Sequence, residues 1–372
     1  MTATANVITS AAEEQIPSVL FDENESQLSN WIDRAVEAFD ANGEPNYLDA
    51  NGELVEGIYL NMPNGLYHSL PAISSTKLKD FSKGAPYYKR KHIDEKDKEL
   101  TETQKNAFLR GTLTHELVLE PDNFYSRYFR ELNKEDYPNA LFTAEDIKAA
   151  LANAGLKVSG KKDDLIARLL AHDPDAQIFD HLVEQNRLKH GEPEEGDFEG
   201  ETMMLYGGKR PIKSDAWDDA MRAAQTVRDE DQADLAIQNG LPEVTIIARC
   251  PQTGLMLKVK FDWLRFDDEA VDLKTTLSTD PSKFRRQFLD LKYDIQQAFY
   301  TYVASLVGIN IKRFLFVAVE FLHQDVCIPF VRSPSCIKQG QEELHYYLPK
   351  FAQCLETNTW KSDYSGFIIE LD

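Results

Sequence analysis

The sequence predicts an α/β fold, on three observations. Residues 254–276 alternate like two strands joined by a tight acidic turn. Further strand-like stretches at 243–250, 313–321 and 325–331 lie among longer stretches with helical spacing. A compact two-helix pattern over 141–170 then interrupts the order, with a texture of its own.

The hairpin organises the chain. Leu255, Leu257, Val259 and Phe261 alternate with Met256, Lys258, Lys260 and Asp262, the period of a half-buried strand. Asp267, Asp268 and Glu269 occupy the turn. On the second strand Val271 and Leu273 share one face, and Asp272 and Lys274 share the other. A carboxylate and an ammonium thus point the same way, with Asp262 on the preceding strand. Two carboxylates can hold a hard divalent cation such as Mg²⁺. Such an ion can activate water and stabilise a phosphoryl group in transit, while the lysine orients or deprotonates that water. A surface hairpin with a salt bridge would read the same way.

Composition bounds the rest. With 42% hydrophobic and 10% aromatic residues, the 372-residue chain can bury a sizeable core, which excludes a disordered protein. A net charge of −21 argues against coating nucleic acid by bulk attraction. It leaves room for an enzyme whose only basic region is a groove. Cys250, Cys327, Cys336 and Cys354 form no C-x-x-C pair and read as reduced thiols of a cytoplasmic protein. Residues 1–20 lack the basic start and apolar run of a signal peptide. The apolar run 314–319 ends at Glu320, too short for a bilayer.

Residues 1–45 are acidic. The first twenty are expected to be mobile, and 27–39 to form one amphipathic helix with Leu28, Trp31, Ile32, Ala35 and Phe39 on a face. Residues 53–67 read as a short strand and turn. Ser74 or Ser75 can cap a helix carrying Leu78 and Phe81. Pro86 can start another, in which Tyr87, Tyr88, Lys89, Arg90 and Lys91 mix aromatic and basic groups. That mix suits a phosphate backbone, and equally a solvated helix face. Residues 107–121 read as a helix stopped by Pro121, with Gly111 and His115 on one face. Gly111 would admit a close neighbour, and His115 would project into that crowded place as a structural residue or a ligand.

Residues 141–170 form a minimal two-helix unit. Thr143 caps the first helix with Asp146 as capping-box partner, Ile147, Ala150 and Leu151 are its buried stripe, and Gly155 ends it. Leu165, Ile166, Leu169 and Leu170 bury the second helix. The turn Val158-Ser-Gly-Lys-Lys between them offers free N–H groups beside lysines, a phosphate site without base-reading groups. This unit resembles the SAP motif through Gly155-Leu156 and Ser159-Gly160-x-Lys162-x-x-Leu165-Ile166-x-Arg168-Leu169. The resemblance implies contact with duplex backbone through Lys157, Ser159, Gly160, Lys161 and Lys162, with Arg168 nearby.

A helix is expected near 177–188, then an acidic linker over 192–201. A helical stretch over 213–239 should bury Trp217, Met221, Ala224, Val227 and Leu235, ended by Gly240 and Pro242. After the hairpin come helices at 282–288, 290–307 and 336–356. Tyr293, Gln296, Gln297 and Tyr300 take adjoining positions on the second of these, as a hydrogen-bonded core or a substrate face.

Taken together, five motifs follow in order: Gly111-x-x-x-His115, the strand with Glu243, the strand ending at Asp262, Asp272-x-Lys274, and Gln296-x-x-x-Tyr300. The order resembles the PD-(D/E)xK nuclease core in its RecB-type version, and within it the RecE, or exonuclease VIII, group of phage-type 5′–3′ exonucleases. Ser74-x-x-Lys77-Leu78-x-x-Phe81, Pro86-x-Tyr88 and Trp360-x-x-x-Tyr364 fit the same group. The resemblance covers about 65–135 and 203–372. It implies a central mixed β-sheet flanked by helices, with the SAP-like unit as an insert.

It further implies His115, Asp262 and Asp272 as metal ligands, helped by the carbonyl of Leu273, with Glu243 as a possible addition. Lys274 would be the catalytic lysine, and Gln296 and Tyr300 would support the site or hold the phosphate. Ser75 and Tyr88 would join the DNA contacts. One or two Mg²⁺ ions, replaceable by Mn²⁺, are implied. So are a double-stranded DNA substrate, a single-strand annealing partner, no membrane, a ring-like homo-oligomer (trimer or tetramer) and a phage- or prophage-type protein in a bacterial cytoplasm. The expected organisation is 1–45 N-terminal segment, 46–140 first part of the core, 141–175 insert, 176–202 helix and linker, and 203–372 second part of the core. Competing readings are an endonuclease or single-strand nuclease on the same core, and a non-catalytic SAP-type DNA-binding protein.

Overall fold

A computed structural model describes residues 30–96, 99–363, 365 and 368. A seven-stranded sheet runs in the order Ala35–Glu37, Gly57–Leu60, Gly240–Arg249, Met256–Arg265, Glu269–Thr275, Arg313–Glu320, Val326–Phe330. It is mixed: Glu269–Thr275 and Arg313–Glu320 run parallel, as do the first two strands, and the other neighbours are antiparallel. A parallel neighbour needs a crossover, which helices Pro281–Asp290 and Tyr293–Leu306 supply. The mixed sheet flanked by helices is the arrangement expected from the resemblance.

Both faces of the sheet are covered. One packs Val259, Phe261 and Phe316 with Leu78, Phe299 and Phe351 of helices Ser75–Ser82, Tyr293–Leu306 and Pro334–Thr357. The other packs Val271, Leu273 and Val317 with Leu113 of Glu102–Leu119 and Ala220 of Ser214–Asp229. The strand Met256–Arg265 is therefore central, and not half-buried as its alternation suggested. Lys258 is only 2% exposed. Its ammonium donates to the carbonyls of Tyr67, His68 and Leu70 at 2.5, 3.1 and 2.9 Å, at the C-terminal end of helix Asn64–Ser69. A buried cation there satisfies carbonyls that the helix itself leaves without donors.

Several local expectations are corrected. The part of 27–39 that is described forms a 3₁₀ turn, Ile32–Arg34, and the strand Ala35–Glu37. Trp31 anchors it, fully buried with Nε1 donating to the Arg265 carbonyl at 2.9 Å. The first twenty residues and Tyr364 lie outside the described residues. The turn expected before Tyr67 is the helix Asn64–Ser69. The acidic stretch 192–201 is no linker but most of a hairpin, Pro193–Phe198 with Glu201–Tyr206. Its charges face water as exposed strands require, while Phe198 and Leu205 are buried. The stretch 213–239 is two helices, Ser214–Asp229 and Asp231–Ala236, and the next strand already begins at Gly240 and includes Pro242. Met221 points outward at 39% exposure, because alanines at 216, 220, 223 and 224 form the buried stripe.

The two-helix unit has its own small core of Ile147, Leu151, Leu165, Leu169 and Ile178. Helices Ala144–Asn153 and Lys162–His172 form it. Thr143 Oγ1 accepts from the Asp146 N–H at 3.1 Å, and Asp146 accepts from the Thr143 N–H at 2.8 Å, closing the capping box. A bridge between Leu141 and Ile178 ties the two ends together. So small a core has no reserve. Leu151→Ala should cost about 2–5 kcal/mol, read as faster amide exchange over 141–178 with the sheet's protection retained. Equal loss of protection in the sheet would mean that the unit does not stand on its own core. No helix among the described residues is long and apolar enough to cross a membrane.

Candidate active site

Strands Met256–Arg265 and Glu269–Thr275 pair only at Trp263–Val271 and Leu264–Ala270. Beyond that point the Leu273 peptide is free for side chains. Its N–H donates to Asp262 Oδ2 at 2.8 Å, and its carbonyl lies 3.0 Å from His115 Nε2. The same nitrogen is 2.9 Å from Asp262 Oδ2. Helix Glu102–Leu119 can bring His115 this close because Gly111 faces the strand: a Cβ there would sit 3.3 Å from Thr275 Oγ1.

Glu243 stands opposite Asp262, between the paired residues Pro242–Trp263 and Val244–Phe261. Its φ of 53° is left-handed, which costs a non-glycine residue about 1–2 kcal/mol. Strain of this kind collects where a side chain must be aimed. His115, Glu243 and Asp262 each offer a ligand atom within 4.8 Å of the others. Lys260 steadies Glu243, with Nζ 2.9 Å from its Oε2 and 2.6 Å from Asn64 Oδ1.

Behind this trio lies a second group. Lys274 Nζ is 2.6 Å from Asp272 Oδ2 and 4.8 Å above the Tyr293 ring. Gln296 Nε2 donates to Asp272 Oδ1 at 2.6 Å, and Gln296 Oε1 accepts from Lys79 Nζ at 3.1 Å. Asp272 thus lies outside the cluster of three, turned toward Lys274 and Gln296.

Electrostatics follow from burial and pairing. Burial alone would lower the His115 pKa, but Asp262 and Glu243 overcome it and raise it to about 9. A cation must therefore displace a proton from Nε2. Burial opposes ionisation of Asp262, yet His115, Lys274 and the Leu273 N–H hold its pKa below normal. Asp272 goes the other way, raised to about 6 by burial and by Asp262 against the pull of Lys274. Burial disfavours the charge on Lys274, but Asp272 and Asp262 outweigh it and keep the ammonium protonated. Burial raises the Tyr300 pKa, so the phenol stays neutral.

The donor set suits a hard divalent ion: an imidazole nitrogen, two carboxylates and a carbonyl oxygen. Asp272 Oδ2, buried and 2.6 Å from Lys274 Nζ, has a further lone pair to offer beside them. The trio opens into a cleft of about 750 Å³ whose walls include Ser75, Lys77, Lys260 and Tyr300.

Ser75 and Tyr300 therefore reach the cleft. Tyr88 does not. It is 4% exposed and stacks on Trp360 at 5.3 Å, a core residue in place of the expected DNA contact. On the two-helix unit, Lys157, Ser159, Gly160 and Lys161 are exposed, but Lys162 is paired with Asp180. Arg168 braces the turn through the carbonyls of Lys157 and Ser159 at 2.6 and 3.2 Å. None of these six lines the cleft. Sequence reasoning passed over Lys260 and Lys79. Lys260 had a signal, since it shares a strand face with Asp262; Lys79 had none beyond its place on the Ser75 helix.

A family described as "PDDEXK-like domain of unknown function (DUF3799)" matches residues 74–368. No curated protein matches in sequence. A solved structure described as "Putative exonuclease" from Eubacterium rectale aligns over 84% of this chain and 96% of its own, at 13% identity and a TM-score of 0.45. One described as SSO0001 aligns over 67% of this chain and 87% of its own, at 10% identity and a TM-score of 0.22.

Proposed function

We propose that this chain, which belongs to the family of PDDEXK-like domains of unknown function (DUF3799), is a Mg²⁺-dependent 5′–3′ exonuclease of double-stranded DNA that leaves 3′ single-stranded tails. The observation that carries a nuclease reading is the convergence of His115, Glu243, Asp262 and the Leu273 carbonyl beside Asp272 and Lys274. The direction of digestion rests on the likeness to the RecE group.

His115, Glu243, Asp262 and the Leu273 carbonyl would hold the cation, with Asp272 Oδ2 as a further ligand. A divalent ion there, Mg²⁺ or Mn²⁺, supplies an acidified water and neutralises charge on the phosphate. The protein's own groups do the rest. Lys274, fixed by Asp272, donates from its ammonium to the attacking water or the phosphate. Lys77 and Lys260 bring positive charge to the cleft in a chain of net charge −21. Tyr300, neutral and packed edge-on to Phe261 at 5.1 Å, lines the cleft and would donate to a phosphate oxygen there. Lys157, Ser159, Gly160 and Lys161, outside the cleft, would grip duplex backbone as a second contact. The proposal includes a ring-like trimer or tetramer, a strand-annealing partner, and the cytoplasm of a bacterial host.

Timed digestion of linear duplex, labelled at the 5′ or the 3′ end in turn, tests this reading. With Mg²⁺, 5′ label should appear early as short product, and 3′ label should persist on a shortening strand. No product with Mg²⁺ or Mn²⁺ refutes nuclease activity, early 3′ release refutes the polarity, and cutting of closed circles makes the protein an endonuclease.

A further inference from the structure

On the other side of the catalytic strand a second groove, of about 500 Å³, runs beside the cleft and shares Ala107 and Thr275 with it. Thr275 directly follows Lys274, so the two hollows are separated by little more than the end of that strand. The groove's floor is unusually apolar for a surface: Leu277, Leu322 and Leu291 are 69%, 51% and 45% exposed. One wall is helix Pro281–Asp290, whose Phe284 and Phe288 are buried, leaving Lys283 and Arg286 exposed on the groove side. These two lie three apart and share a face. Among the described residues neither makes an ion pair. Arg110 also lines the groove but is neutralised by Asp215 and Asp219, and Asp290 is the only acid on the lining.

We propose that this groove holds single-stranded DNA, the unpaired strand left beside the cleft when its complement is hydrolysed, an inference that rests on the nuclease reading above. Unstacked bases lie against Leu277, Leu291 and Leu322, and the phosphates meet Lys283 and Arg286. An apolar floor with a cationic wall is what a flexible strand requires: sequence-tolerant contact for bases and positive charge along its backbone. A duplex offers no exposed base faces to such a floor. In a chain of net charge −21 a strand is steered to the basic places, and this groove is one of them.

Anisotropy of fluorescein-labelled oligothymidylate, titrated with full-length protein in EDTA, tests it. Lys283→Glu/Arg286→Glu should weaken binding at least tenfold and lower the salt slope by about 1.4, the share of two single-strand phosphates. Leu277→Ser should weaken binding while leaving that slope unchanged. Both variants alter exposed side chains, so their melting should match wild type. A control of equal charge change at residues that line neither hollow, Lys189→Glu/Lys338→Glu, should have little effect. Unchanged affinity and slope in the double variant, an equal loss in the control, or binding of an acidic peptide in place of oligothymidylate overturns the groove assignment. Each result stands whether or not the wild-type chain cuts DNA, so failure here and failure of the nuclease reading are separable.

Discussion

Asp262→Asn should reduce hydrolysis by about three orders of magnitude, close to 4 kcal/mol of barrier, and abolish calorimetric binding of Mn²⁺. The effect is large because Asp262 has several tasks at one oxygen. Its Oδ2 accepts from the Leu273 N–H, faces His115 Nε2 at 2.9 Å, and belongs to the ligand trio. Asparagine keeps the shape and an acceptor for the Leu273 N–H, so the fold should survive and melting should shift little. What goes is the charge that attracts a cation. Glu243→Gln should cost less, about 10–100-fold, since Lys260 already spends part of that carboxylate's charge. Single-turnover digestion of end-labelled duplex reads both. An Asp262→Asn protein cutting within tenfold of wild type would remove the metal site from the mechanism.

How legible was this site? Local periodicity carried far. Alternation located the hairpin, and the fixed two-residue step of a strand placed Asp272 and Lys274 on one face, where they meet at 2.6 Å. Gly111 and His115, one helical turn apart, are both used as their spacing suggested. The failures are contacts between distant parts of the chain. Glu243 came only from the resemblance, as a possible ligand, because its place opposite Asp262 depends on the register of two antiparallel strands, which no single stretch encodes. Tyr88 in a basic run looked like a DNA contact, because nothing nearby announces that Trp360 and Phe351 will cover it. Composition misled at 192–201, since acidic edge strands and acidic linkers use the same residues. Lys258 and Lys260 misled by looking solvent-facing: the first caps a helix end and the second holds an acid.

Lys79 carries the other large effect, although it touches neither cation ligand nor substrate. Its ammonium donates to Gln296 Oε1 at 3.1 Å, and so leaves only the amide Nε2 to face Asp272. Without it the amide could rotate, and its oxygen would confront a carboxylate oxygen; Asp272 and the lysine it holds would lose their bearing. Lys79→Met, similar in volume, should therefore lower kcat about 10–100-fold with KM for DNA little changed. Gln296→Met should do much the same, and the double variant should be no worse than the poorer single one, because both remove one linkage. Additive losses would mean that Lys79 acts elsewhere, on substrate itself. Stability separates this from misfolding. Burial, then the neighbouring Lys274, lowers the Lys79 pKa from 10.5 to about 8. Between those values the unfolded chain binds the proton and the folded one does not, so stability rises with pH there. Wild type should gain on Lys79→Met from about pH 8 to 10.5, and at pH 7 the variant should melt no lower, since it no longer buries a cation. Activity lost with melting temperature held is the signature of a positioning residue, and a lowered melting temperature at pH 7 would point to a structural one.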